Sequence, residues 1–414
     1  MIKNIIKNNS SIVRNFGYLS ILQIFNILLP LATYPYLIRI LGADIYGTII
    51  YAQAIIMYFS LIINFGFNIS GTKEVAENIN DKEKIAEIVS SIYIIKFGLF
   101  FVSIFILISC LYFVLILREI GMLICITFSA TLSELLFPQW YFQGVDKMKY
   151  ITLLALFTRL LFTILIFIII DDESDYLYVP FISGIGILFS AVISLYILIY
   201  KEHISFYIPS KVKLKFYFKE SLPLFISAAS VQLYVNANRI LVGVFLGMSE
   251  VAYYDLGEKV LRLIKIPVGM LGQSAFPTLS REKNIKKINR IMFLGVSIAL
   301  ALIILVFVFS EQIVFLLGGE NMYNAIVVMR ILSISAFMVA FSQFLGTSRL
   351  IVFGFKKEFT QIISSSGVLF FLGVAVLYKL DYINIYSLAL LAVSVEFSVT
   401  MFMFVVNYRK KLLI

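Results

Sequence analysis

Charge is scarce in this chain: only 14% of its 414 residues are Asp, Glu, Lys or Arg, against 61% that are apolar. With a mean hydropathy of +0.98, that balance excludes a water-soluble globule. Cysteine and histidine are scarcer still. Cys110 and Cys125 lie in separate apolar runs and His203 stands alone, which excludes a disulfide framework and a metal-ligand set, so neither metal nor cofactor is expected. A GxxxxGK[ST] phosphate loop is missing, which argues against ATP binding of the usual kind. Also missing is any long polar segment able to house an extramembrane catalytic centre. The apolar runs are continuous rather than alternating, which excludes a membrane β-barrel and leaves helices as the way to satisfy backbone groups in lipid.

Runs of the length needed to cross a ~30 Å hydrocarbon core recur along the chain. They lie near 16–41, 46–69, 88–117, 120–142, 149–170, 177–200, 220–246, 250–277, 291–317, 323–349, 359–378 and 385–407. The start, Met1 to Arg14, is basic and leads into a long run with Pro30 and Pro35 and no small-residue cleavage pattern, so it is expected to be retained. The net charge of +10 does not signal nucleic acid, because the cations are segregated. Twelve spans with a cytoplasmic N-terminus place twenty-three of the 34 Lys and Arg in cytoplasmic segments and only Arg118 and Lys379 in external loops. That bias predicts a bacterial cytoplasmic (inner) membrane protein with both termini in the cytoplasm, and basic loops such as Lys211-Val-Lys-Leu-Lys215 resting on anionic membrane lipids.

An internal repeat is suggested by two matches. Leu41-Gly42-Ala43-Asp44-Ile45-Tyr46-Gly47 pairs with Leu246-Gly247-Met248-Ser249-Glu250-Val251-Ala252-Tyr253, the acids lying 206 positions apart, and Gly144 before Asp146-Lys147 pairs with Gly354 before Lys356-Lys357 at an offset of 210. The expected fold is all-α: 12 transmembrane helices in two six-helix lobes, residues 1–200 and 220–414, joined by a basic cytoplasmic linker at 201–219 and enclosing a central cavity.

Ionisable residues inside spans cost roughly 2.5–3.5 kcal/mol each on insertion and by default face protein or water. The cations expected on a substrate-binding cavity are Arg239, Arg159, Arg330, Arg262, Arg39 and Lys259, with Arg239 foremost because its own helix offers it no carboxylate within one turn. Asp255 with Lys259 and Glu258 with Arg262 are spaced i, i+4 and can pair. Gln53, Asn64 and Asn68 form a polar stripe on the second span, and Gln23 and Asn26 extend such a wall on the first. An excess of guanidinium over carboxylate suits an anion, and phosphate oxygens match the guanidinium fork.

Several segments carry a family resemblance. Asn15-Phe16-Gly17-Tyr18-Leu19, Gln23, Asn26, Pro30, Pro35-Tyr36-Leu37, Arg39-Ile40-Leu41-Gly42, Tyr46-Gly47, Asn64-Phe65-Gly66-Phe67, Pro138-Gln-Trp-Tyr-Phe-Gln-Gly144 and Asn238-Arg239 together resemble the polysaccharide-biosynthesis flippases of the Wzx type, in the multidrug/oligosaccharidyl-lipid/polysaccharide exporter superfamily. The resemblance implies a V-shaped pair of six-helix lobes that moves an undecaprenyl-pyrophosphate-linked oligosaccharide, destined for O-antigen or capsule, to the outer leaflet by alternating access. It also implies ion or potential coupling, for which Glu134, Glu258 and Glu396 are the candidate carboxylates, and a possible glycan polymerase complex as partner. A cation-coupled multidrug exporter of the same fold would need unpaired cavity carboxylates. A membrane-embedded glycan polymerase or ligase would need a large external loop.

Overall fold

A computed structural model describes residues 10–413, with side chains from Leu22 onward except those of Val231, Tyr234, Val235 and Pro277. The basic start from Met1 to Lys7 lies outside the described residues, as do the side chains of Arg14 and of Asn15–Leu19. No strand occurs among the described residues. The chain is a multi-pass helical membrane protein.

Among the described residues ten helices come first: α1 (Ser10–Asn64), α2 (Phe67–Glu77), α3 (Lys82–Phe113), α4 (Leu115–Glu119), α5 (Gly121–Phe128), α6 (Thr131–Leu136), α7 (Gln139–Gly144), α8 (Met148–Ile169), α9 (Tyr178–Tyr196) and α10 (Lys211–Leu246). Six follow: α11 (Met248–Glu282), α12 (Ile285–Val308), α13 (Ser310–Gly318), α14 (Ala325–Ser342), α15 (Lys356–Lys379) and α16 (Ile385–Arg409). Among the described residues, 9 stretches are long and apolar enough to cross a membrane by length and composition. One of them, Leu22–Glu77, holds two of the expected runs. The expected runs near 220–246 and 250–277 are helices too, α10 and α11, and Asn236–Leu246 of α10 is a shorter apolar stretch.

The division between the first two runs falls where the residue spacing predicts it. Gly42 interrupts α1 with φ 71 and ψ 171, a conformation that costs other residues a clash with their own Cβ. The run near 120–142, expected as one helix, is instead three short ones in tandem. Phe137 is extended at the end of α6, and the ring of Pro138, with no N–H to offer, precedes α7. Trp140 and Phe142 of α7 are then driven into a core with Phe67, Val75, Ile88 and Ile92.

Contacts divide the chain into two units, one of residues through Leu41 with Ala52–Ala229, the other of Gly42–Tyr51 with Ser230 onward. The boundary thus falls inside α10 rather than in a free linker at 201–219. Side chains account for this. Ser221 shares a 2.7 Å hydrogen bond with Ser70, and the Phe225 ring stacks on Phe65 at 4.6 Å. Buried Glu87 accepts from Lys84 (2.7 Å), Tyr217 (3.0 Å) and Lys213. That carboxylate holds the Lys213 ammonium above its ordinary value. In the second unit, residues 42–51 pack on the start of α11 so closely that a Cβ on Gly47 would lie 1.8 Å from the carbonyl oxygen of Met248.

Candidate functional site

The first unit contains a cavity of about 570 Å³ walled by α1, the α6–α7 break, α8 and α9. Each wall has a local cause. Pro30 in α1 cannot donate to the carbonyl of Asn26, so the helix is loosened where Asn26, Pro30 and Thr33 meet the cavity; Thr33 Oγ1 turns back to the carbonyl of Leu29 at 3.2 Å. The break between α6 and α7 delivers Ser133, Phe137 and Gln139. On α8, Ala155, Thr158, Arg159, Phe162 and Thr163 follow the i, i+3, i+4, i+7, i+8 spacing of one helical face. From α9 come Ser183, Ile187 and Ser190, the last hydrogen-bonded to Thr158.

Electrostatically this cavity is simple. Among the described residues Arg159 is its one charged lining residue, and no described Asp or Glu lines it. Among the described residues Arg159 has no ion pair, and no hydrogen bond from its guanidinium is seen. Asn26 Oδ1 and Thr163 Oγ1 are buried oxygens without a hydrogen-bond partner. A half-buried guanidinium with five donors and no protein acceptor, on the wall of a cavity, is the kind of group an anionic ligand completes.

The second unit overturns the leading expectation. Arg239 does have carboxylates inside its own unit: its Nη2 lies 2.5 Å from Glu258 Oε2 and 3.2 Å from Asp255 Oδ1. Lys259 pairs with Asp255, one turn earlier on α11, and donates to the Tyr46 hydroxyl at 2.8 Å, which in turn donates to Asp255 at 3.3 Å. The partners of Arg239 come from α11, so no carboxylate one turn away on α10 announces them in the sequence. The group has two cations and two carboxylates and is therefore a neutral, interlocked ion cluster. Arg239 and Lys259 are parts of it, not free anion receptors. Glu258 is engaged there as well, pairing with Arg239 and not with Arg262, which is exposed on α11 without a salt bridge.

The other expected residues are dispersed. Arg330 donates to Ser310 Oγ from Nε (2.9 Å) and Nη2 (2.5 Å). Arg39 is exposed on α1, as are Gln23 and Gln53. Asn64 donates to the Glu134 carboxylate at 2.7 Å, and buried Lys96 donates to the Glu134 backbone carbonyl at 2.7 Å. Asn68 and Glu396 are half-buried, each accepting a backbone-directed hydroxyl one turn on, from Thr72 and Thr400. Of all the expected cavity residues, the first unit's cavity unites Asn26 and Arg159. Ser133, Gln139, Thr163 and Ser183 were not anticipated; the one-face spacing on α8 was the signal for Thr163, and the Pro138 break was the signal for Gln139. Arg349 is fully buried and donates to Asn289 Oδ1.

Solved structures share this fold at low identity. A multidrug resistance MATE family transporter of the MOP superfamily, in an inward-facing conformation, matches with a TM-score of 0.74 at 15% identity over 96% of this chain and 98% of its own. The lipid II flippase MurJ in an inward closed conformation matches with a TM-score of 0.72 at 14% identity over 94% of this chain and 87% of its own. By sequence, the chain is 27% identical over 368 residues to a protein of Escherichia coli (strain K12) named "Putative O-antigen transporter", covering 87% of this chain and 89% of the relative. A protein of the same name from Shigella dysenteriae is 30% identical over 259 residues, covering 62% and 64%. The family model described as polysaccharide biosynthesis protein matches residues 12–283, well over half of the chain, and the chain belongs to that family.

Proposed function

We propose that this protein is a flippase that carries a lipid-linked oligosaccharide across the bacterial inner membrane, with its termini in the cytoplasm. The substrate in this reading is an undecaprenyl-pyrophosphate-linked repeat unit for a surface glycan such as O-antigen, moved by alternating access without chemical change and driven by an ion gradient or the membrane potential. The family and the named relatives support the substrate class. The observation that carries the reading at the level of chemistry is Arg159, a cation without a protein counter-ion on the wall of a cavity that has no carboxylate. Such a cavity attracts an anion and repels the cationic drugs a multidrug exporter would take. Arg159 is the residue assigned to meet the anionic part of the substrate.

Deleting the gene tests the assignment. Surface glycan is expected to disappear while its lipid-linked intermediate accumulates on the cytoplasmic leaflet, and a plasmid copy is expected to reverse both. Normal surface glycan in the deletion strain, with no accumulated intermediate, would sink the reading.

A further inference from the structure

The chemistry of the first unit's cavity distinguishes between the two anionic parts that a lipid-linked glycan can present. A pyrophosphate brings at least two negative charges. Among the described residues the cavity supplies one guanidinium, and its other polar lining groups are neutral hydroxyls and amides: Asn26, Gln139, Thr163 and Ser183 among them. At least one negative charge of the pyrophosphate would be left without a counter-ion among the described lining residues, which is unfavourable. A sugar carrying one carboxylate balances the charge of Arg159 one to one, and the carboxylate matches the guanidinium fork bidentately.

The remaining surface fits the rest of such a sugar. Hydroxyls donate and accept, and the wall holds both kinds of partner in the hydroxyls of Ser133 and Ser183 and the amide of Gln139. Phe137, Phe162 and Ile187 supply apolar patches between them. A volume of about 570 Å³ is within the usual range for sites that enclose a small molecule and is far too small for a whole lipid-linked repeat unit. Resting on the flippase reading, we infer that this cavity is a subsite for a single carboxylate-bearing sugar of the carried glycan, and that the pyrophosphate is held elsewhere.

The test uses the full chain in detergent, with glucuronate, glucose and inorganic pyrophosphate as probes and saturation-transfer NMR as the readout. Glucuronate is expected to give a signal, glucose one at least tenfold weaker, and equimolar pyrophosphate is expected not to displace glucuronate. Arg159→Gln should weaken glucuronate binding at least tenfold, and Arg159→Lys should do so less, keeping the charge but losing the fork. Ala155→Trp, which fills the cavity and leaves the guanidinium in place, should also abolish the signal; it guards against the case in which the arginine variants do not fold. Displacement of glucuronate by equimolar pyrophosphate, undiminished binding in Arg159→Gln or Ala155→Trp, or no binding to the wild type each overturns the inference. A wild type that restores surface glycan to the deletion strain yet binds no glucuronate refutes the sugar subsite and leaves the flippase standing. A deletion strain with normal glycan refutes the flippase itself.

Discussion

Two arginines within apolar helices, Arg159 in the first unit and Arg239 in the second, look alike in sequence and differ entirely in surroundings. Arg239 meets two carboxylates supplied by the next helix, in a neutral cluster that Tyr46 and Lys259 close. Arg159 meets a cavity without a carboxylate. A buried charge inside a bilayer must be compensated somewhere, and the comparison shows two solutions: a permanent counter-ion from the fold, or one that arrives with a ligand. The first gives rigidity and the second gives affinity.

On a common scale of stability, Arg239→Ala should do the most damage. It strips Glu258 of its salt bridge and leaves Asp255 with Lys259 and Tyr46, and breaking a buried pair from one side costs about 3–5 kcal/mol. The thermal unfolding midpoint in detergent and the amount of inserted protein should both fall sharply; an unchanged midpoint would break the comparison. Gly47→Ala should come next. Its Cβ would meet the Met248 carbonyl oxygen, so backbone must shift, at about 1–3 kcal/mol, again read as a lower midpoint.

Lys213→Ala should matter less. Its ammonium is solvated and Glu87 keeps Lys84 and Tyr217, so the midpoint should fall only slightly. Raising the salt concentration should shrink even that difference. Least of all on this scale is Arg159→Gln, because an uncompensated charge is removed and no protein partner is stranded. Its midpoint should equal or exceed that of the wild type, while complementation of surface glycan should drop more than tenfold. A marked loss of stability in this variant would place Arg159 in the same class as Arg239.

Much of the fold was legible because lipid enforces it. Apolar runs must be helices, Gly42 marks a break that other residues resist, and the twelve predicted runs each coincide with helical segments. The run near 120–142 was legible in extent but not in continuity, since Pro138 announced a break whose consequence depends on where Trp140 and Phe142 find a core. The candidate site was legible in part. Arg159 and Thr163 share a helical face that spacing reveals, and Asn26 sits one turn before a proline. Whether a given cation had a partner was not legible, because a counter-ion on a neighbouring helix leaves no mark at i, i+4. The carboxylates that pair with Arg239 and the hydroxyl that accepts from Arg330 lie about 16 to 20 positions away.

The second unit is not contiguous in the chain: its segment Gly42–Tyr51 is made first, and residues 52 through 229 follow before the rest of that unit begins. At roughly 5–20 residues per second, the ribosome needs about ten to forty seconds to cover that interval. For that time Tyr46 waits in the membrane for Asp255 and Lys259, and Gly47 for the turn of α11 that will press against it. The last steps of biogenesis therefore include the retrieval of an early segment by a late one, and a nascent chain halted near Ala229 still lacks the residues against which Gly42–Tyr51 pack.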